Sequence, residues 1–367
     1  MALLGALAAG IVLLGAPGCA LVDLVPLPPD VVYPRIQPAE DAGELAPVEF
    51  DWPFEGSMVR MSVPLDATVY EGAKRSPKTV LAFREITEAE WVPEYYRAFI
   101  DEPRQEPLYE ALLGNFRSLR SSLGLDDDRY AELIVSWVQT LEYRTDPVDL
   151  EPKFPVETVG DRDGDCDDKT LLAAALLARE GYDVAVLLFA PEQHVALGIR
   201  TNGSTYGRSG YGFVESTMPT LFGWVPDTLD GGLVLESEPV VVPIGEGART
   251  YEAGNQTDAL RASFDAALER AEELNALIIT RDAELERRLR ELDDLKASMD
   301  RRSANRDIPG YNALVPRYNA LSAEYNQLVA ERNSLVSELD GHARNTERIA
   351  NGQTDRFGLA REFGIER

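Results

Sequence analysis

Histidine and cysteine are the scarcest reactive residues in this 367-residue chain, with two of each. Cys19 lies in an apolar N-terminal stretch and Cys166 in mid-chain, so a disulfide framework is not expected. So few soft ligands also leave no basis for a His/Cys-type metal site, and neither metal nor cofactor is expected. Positive charge is short as well. Lys and Arg together number 36 against 63 Asp and Glu, a formal net charge of -27. That balance argues against nucleic acid or anionic lipid as a partner. Lysine is far rarer than arginine. An acidic, lysine-poor surface suits a halophilic protein, although a high-GC genome explains the arginine bias equally well. The acidic loops Asp126-Asp127-Asp128 and Asp161-Arg162-Asp163 lack the spacing and closing Glu of a calcium loop, and read as solvated turns.

One stretch lacks charge altogether. Residues 2–18 are rich in Ala, Leu and Gly and end in Ala16-Pro17-Gly18-Cys19, which resembles a lipoprotein cleavage site with Cys19 as the lipidated residue. Residues 1–23 are therefore expected to be a signal or lipoprotein-type anchor segment. It would hold an exported protein to the outer face of the cytoplasmic membrane. Residues 24–48, with six prolines, read as an extended tether. From 49 to about 245 a folded domain is expected, with its core at 126–230. Phe50–Phe54 and Met58–Val63 read as a strand pair and Tyr130–Leu141 as a helix. Val184–Phe189, Val195–Ile199 and Tyr211–Val214 read as strands.

After Pro243 the pattern changes. Leu260, Phe264, Ala267, Ala271, Leu274 and Ile278 step by three and four, and the frame resumes at Leu285, Leu292, Leu295 and Met299, with Arg281 and Arg288 intruding. A break at Arg306 to Pro309-Gly310 precedes three near-identical heptads, each of the form Tyr-Asn-x-Leu, starting at Tyr311, Tyr318 and Tyr325. Residues 256–350 are expected to form an antiparallel coiled-coil hairpin, kinked or delayed at Pro316, followed by a polar tail at 351–367. Such a hairpin offers a surface for self-association or an envelope partner. Whether it pairs within one chain or between chains stays open.

With Cys19 in the anchor and His342 in the helical tail, Cys166 and His194 are the one Cys–His pair in the globular region. Cys166 sits in Gly164-Asp-Cys-Asp-Asp-Lys-Thr just before the apolar run Leu171–Leu177, which places it in the first turn of a buried helix. His194 precedes one apolar strand and Glu215 ends the next. A nucleophile at a helix start, with a base and an orienting carboxylate on neighbouring strands, is the layout of a thiol acyl-transfer enzyme. The helix start and an imidazolium at His194 would favour the thiolate, whereas Asp165, Asp167 and Asp168 oppose it. The imidazolium is expected to dominate. The Cys166 N–H would serve a developing oxyanion, with Gln139 as a candidate second donor.

Five segments together resemble the transglutaminase-like superfamily, in particular its prokaryotic, largely archaeal envelope members. They are Phe154-Pro-Val-Glu-Thr-Val, Gly164-Asp-Cys-Asp-Asp-Lys-Thr-Leu-Leu, Glu180-Gly-Tyr-Asp-Val-Ala-Val-Leu-Leu, His194-Val-Ala-Leu-Gly and Tyr211-Gly-Phe-Val-Glu-Ser-Thr. The resemblance implies an α+β, papain-like transglutaminase core followed by the α-helical hairpin. It also implies a triad of Cys166, His194 and Glu215, the last standing where many members have Asp. The implied activity is peptidase or amide hydrolysis of a protein or peptide substrate through an acyl-enzyme. Protein cross-linking by transglutamination is the first alternative. A non-catalytic envelope adaptor is the second.

Overall fold

In the computed structural model the described residues are 30–145 and 151–366. The anchor segment 1–23, and with it the expected lipidation of Cys19, lies outside them. The protein is mixed α/β with a long C-terminal helical region, and it divides into two compact units. Leu260–Gly352 forms one, and the chain on both sides of that stretch forms the other.

In the larger unit, β1 (Val48–Phe54) and β2 (Ser57–Val63) pair antiparallel as the alternation predicts. Phe50, Trp52, Phe54, Val59, Met61 and Val63 are buried. Glu55 and Gly56 both take positive φ, the backbone a two-residue hairpin turn demands. Six helices follow: α1 (Ala67–Arg75), α2 (Glu88–Ile100), α3 (Glu106–Leu123), α4 (Asp127–Thr140), α5 (Pro155–Asp161) and α6 (Cys166–Arg179). Every residue from Leu171 to Leu177 on α6 is fully buried, as expected of a helix that is apolar all round. The helix lies against an antiparallel sheet of β3 (Asp183–Phe189), β4 (His194–Ile199), β5 (Gly212–Val214) and β6 (Val240–Glu246), in the order β6-β3-β4-β5.

Three expectations are corrected. The segment read as a tether is part of the domain from about Asp30. Val31–Val32 pairs with Leu81–Ala82, Ile36 is buried, the Gln37 N–H donates to Ser76 Oγ (2.8 Å) and the Ala39 N–H to the Thr68 carbonyl (2.9 Å). Proline fixes an extended backbone, and that backbone packs just as readily as it spans. Gly72 makes room for it, since a Cβ there would meet the Gln37 carbonyl oxygen at 2.3 Å. The polar tail is folded too: α9 (Arg356–Glu362) buries Arg356, Leu359 and Ala360. Finally, Asp161 and Asp163 are not solvated. Asp161 pairs with Lys74 and Lys153, and Asp163 with Lys153 and Arg144.

The second unit is built on α7 (Gly254–Ala304, its first turns belonging to the larger unit) and α8 (Ile308–Asn351). The helices run antiparallel within one chain, joined by four crossing ion pairs: Arg270–Glu338, Arg281–Glu331, Arg288–Glu324 and Arg332–Asp282. The turn comes earlier than Pro309-Gly310. Arg306 takes a positive φ and Asp307 caps α8, leaving Pro309 in the first turn, where a missing N–H costs nothing. The helix continues through Pro316. Arg281 and Arg288 hold seam positions with their heads in partly exposed pairs. Such pairs contribute at most ~1 kcal/mol each, whereas a seam leucine buries apolar area. The double change Arg281→Leu and Arg288→Leu is expected to raise the melting temperature in calorimetry. A lower one would show that the pairs hold the hairpin.

Candidate active site at the start of α6

Asp165 opens α6 as its N-cap. Its Oδ1 accepts from the Asp168 N–H (3.4 Å), and Asp168 Oδ2 accepts from the Asp165 N–H (3.2 Å). This reciprocal cap fixes Cys166 as the first helical residue. Gly164 is required beside it, because a Cβ there would sit 2.6 Å from Asp168 Cβ. The thiol keeps a partly exposed edge, and α6 packs on β4, where Thr170 Oγ1 donates to the Val195 carbonyl (3.3 Å). The early part of α6 and the start of β4 are thereby brought together.

β3 and β4 are joined by the turn 190–193, in which Gln193 takes a positive φ, and His194 opens β4 opposite Phe189. The pairing Leu197↔Val214 carried one residue further sets Glu215 opposite Ala196. His194 is two residues from Ala196 and so shares its face of the sheet. The side chains meet there: His194 Nε2 and Glu215 Oε2 are 3.0 Å apart. His194 is 6% exposed and Glu215 fully buried. The other carboxylate oxygen accepts from the Thr217 N–H (2.8 Å) and Oγ1–H (2.6 Å). Burial works to raise the Glu215 pKa, but the hydrogen bonds from His194 and Thr217 outweigh it and hold the group below the ordinary glutamate range.

Electrostatics at the sulfur reverse the expectation from sequence. Burial pushes the Cys166 thiol well up, the carboxylates of Asp167 and Asp165 push it further, and the Val195 N–H only partly opposes them. The acidic neighbours that read as a minor counterweight, together with desolvation, decide the outcome. Both effects favour the neutral thiol over the thiolate. Gln139 is also corrected as an oxyanion donor. Its Nε2 donates to the carbonyls of Glu215 (2.8 Å) and Thr220 (3.1 Å), so both amide hydrogens are committed and its role is to brace the loop after β5.

Carboxylate oxygens of Asp165, Asp167 and Asp168 lie within 4.8 Å of one another, the one such cluster among the described residues. Two of the three are taken up by the helix cap, and Asp168 Oδ1 also accepts from the Lys153 N–H (2.6 Å). A cavity of about 430 Å³ is lined by Asp165 and Asp168 of this cap, and its other walls are already internally ion-paired, as between Lys78 and Glu157 (2.9 Å).

Two neighbours of the site escaped the sequence reading. Tyr96 on α2 is 8% exposed, and burial together with Asp167, Tyr95 and Cys166 raises its hydroxyl well above the ordinary range. The helical spacing of Trp91, Tyr95 and Phe99 was the available cue for α2. Lys169, one turn after Cys166, is fully buried although lysine is normally exposed, and composition carries no cue for that. No family model, curated protein or solved structure matches this chain.

Proposed function

We propose that the protein is a thiol acyl-transfer enzyme that hydrolyses amide bonds of a protein or peptide, with a papain-like core of the transglutaminase-like kind. The observation that carries this reading is the buried His194–Glu215 pair at the start of β4, the strand whose Val195 carbonyl accepts from Thr170 on α6, the helix that Cys166 opens. Glu215 occupies Nε2, which leaves Nδ1 to exchange the proton with the thiol. Because burial and the neighbouring carboxylates favour the protonated sulfur, His194 acts in this reading as a general base rather than as half of a standing ion pair. It takes the thiol proton as the sulfur bonds to the substrate carbonyl carbon, and the carbonyl oxygen becomes an oxyanion facing the Cys166 N–H at the helix start. The imidazolium, held by Glu215, then gives its proton to the departing amine as the C–N bond breaks. Water repeats the sequence on the thioester and releases the acid. An amine in place of water gives transamidation. The expected location, outside the cytoplasmic membrane through residues 1–23, belongs to the same proposal.

A chain beginning after Cys19 retains the described domain and carries Cys166 as its one thiol. Iodoacetamide alkylation should be slow below neutral pH and rise steadily above it, because burial and the neighbouring carboxylates lift the thiol. A fast plateau extending well below neutral pH would instead demonstrate a resting thiolate. Incubation with p-nitrophenyl acetate should leave one acetyl group on Cys166, read by intact mass and peptide mapping. No adduct at any pH would remove the enzyme reading and favour the adaptor.

A further inference from the structure

Lys169 is fully buried, yet it forms no ion pair among the described residues. Its Nζ donates instead to three backbone carbonyls: Leu141 (2.9 Å), Thr217 (3.1 Å) and Gln139 (3.3 Å). Two of these close the C-terminal end of α4. The third belongs to the residue that hydrogen-bonds Glu215 twice. The next residue, Thr170, adds a fourth tie, its Oγ1 lying 2.8 Å from Ser216 Oγ. Gln139 supplies a fifth by bracing the Glu215 and Thr220 carbonyls from α4. A buried ammonium is costly unless every proton is satisfied, and here three protons meet three acceptors.

We propose that Lys169 is a positioning residue that locks the 215–217 turn between α4 and α6 and thereby aims the Glu215 carboxylate at His194. The idea rests on the acyl-transfer reading for its purpose, but not for its geometry. A neutral side chain of similar length would leave three buried carbonyls without a donor and free Thr217 to shift, and with it both hydrogen bonds into Glu215 Oε1. Burial depresses the Lys169 pKa to about 8, and Glu215 opposes the shift. Of the titratable groups on the surrounding elements (Asp165, Cys166, Asp167 and Asp168 at the start of α6, His194 on β4, Glu215 after β5), Glu215 is the one that acts on it appreciably. α4 offers carbonyls and the Gln139 amide. Above pH 8 the amine has two hydrogens for three carbonyls, so the lock loosens.

The chain has only two histidines, so the imidazole protons of His194 can be assigned by ¹⁵N-histidine labelling and comparison with His194→Ala. In the wild type, the Nε2 proton facing Glu215 should be a protected, low-field resonance at pH 7. In Lys169→Met it should exchange at least about tenfold faster, the signature of a hydrogen bond weakened by about 1.4 kcal/mol. Acetylation of Cys166 should slow in parallel, whereas His342 should not respond. Should the methionine variant fail to fold, the wild type with Cys166 blocked by iodoacetamide provides the second arm. There the same resonance should lose protection with a midpoint near pH 8, beyond the tenfold-per-unit trend that His342 follows. An unchanged His194 proton in Lys169→Met, or no such midpoint in the blocked wild type, overturns the proposal. A shifted proton with no acetylation in either protein keeps Lys169 as the lock and removes the enzyme reading instead.

Discussion

Replacing His194 by alanine is expected to lower acetylation of Cys166 by p-nitrophenyl acetate by roughly 10²–10⁴-fold at neutral pH, the usual worth of a positioned acid–base group. The size of the effect follows from the state of the sulfur. A thiol already ionised at rest would still attack without the imidazole. Here desolvation and the Asp165 and Asp167 carboxylates favour the protonated sulfur, so in the proposed mechanism attack waits for a base, the role assigned to His194. The loss should shrink as the pH is raised, because hydroxide increasingly ionises the thiol of the variant without help. A variant as fast as the wild type at neutral pH would show that His194 is a structural histidine paired with a structural glutamate.

Arg356→Ala should be the most damaging substitution away from the sulfur, costing about 3–5 kcal/mol, as removal of one member of a buried ion pair does. Arg356 is 2% exposed; its Nε lies 2.5 Å from Glu132 Oε1 on α4, and it also donates to the Gln256 side chain. Tyr251 donates to the same carboxylate. Burial raises the Glu132 pKa even with Arg356 opposing it. A carboxyl whose pKa is raised on folding takes up a proton as the chain folds, so it costs stability as pH rises through and above its unfolded range. Removing the arginine enlarges that cost. The melting-temperature deficit of Arg356→Ala relative to the wild type should therefore be greatest at neutral pH and narrow towards pH 5. A deficit independent of pH would mean that packing alone, such as the stacking of the guanidinium over Tyr251, is what is lost.

How much of this was legible depended on whether the information was local. The β1–β2 pair, α4, α6 and the strands β3 to β5 follow from hydrophobic period and turn residues, and those elements set His194 against Glu215 and put Cys166 at the start of the helix packed on their sheet. The heptads located α7 and α8 for the same reason. What escaped the sequence was long-range. Prolines 26 to 47 indicate an extended backbone but not that Ile36 will find a pocket. Arg356 reads as one more charge in a polar tail, because its partner Glu132 is 224 residues away. Lys169 and Gln139 look like ordinary polar residues on helices until the loop after β5 is folded over them. The ionisation of Cys166 failed for a related reason: charges can be counted in a sequence, but desolvation cannot.

The chain leaves the larger unit after Ala259 and re-enters it at Gln353. Within that unit the two return points are stapled together, since the Gln256 side chain holds Arg356 and its Nε2 donates to the Ile365 carbonyl (3.4 Å). The intervening 93 residues are a unit of their own, inserted between two points of the larger unit that are tied to each other. Heptads can be added or removed in matched sets, one on each helix, without changing where either strand of the chain is seated. The length of this unit is thus an inheritable variable that can change independently of the thiol site, and natural variants of this architecture should differ there in steps of about fourteen residues.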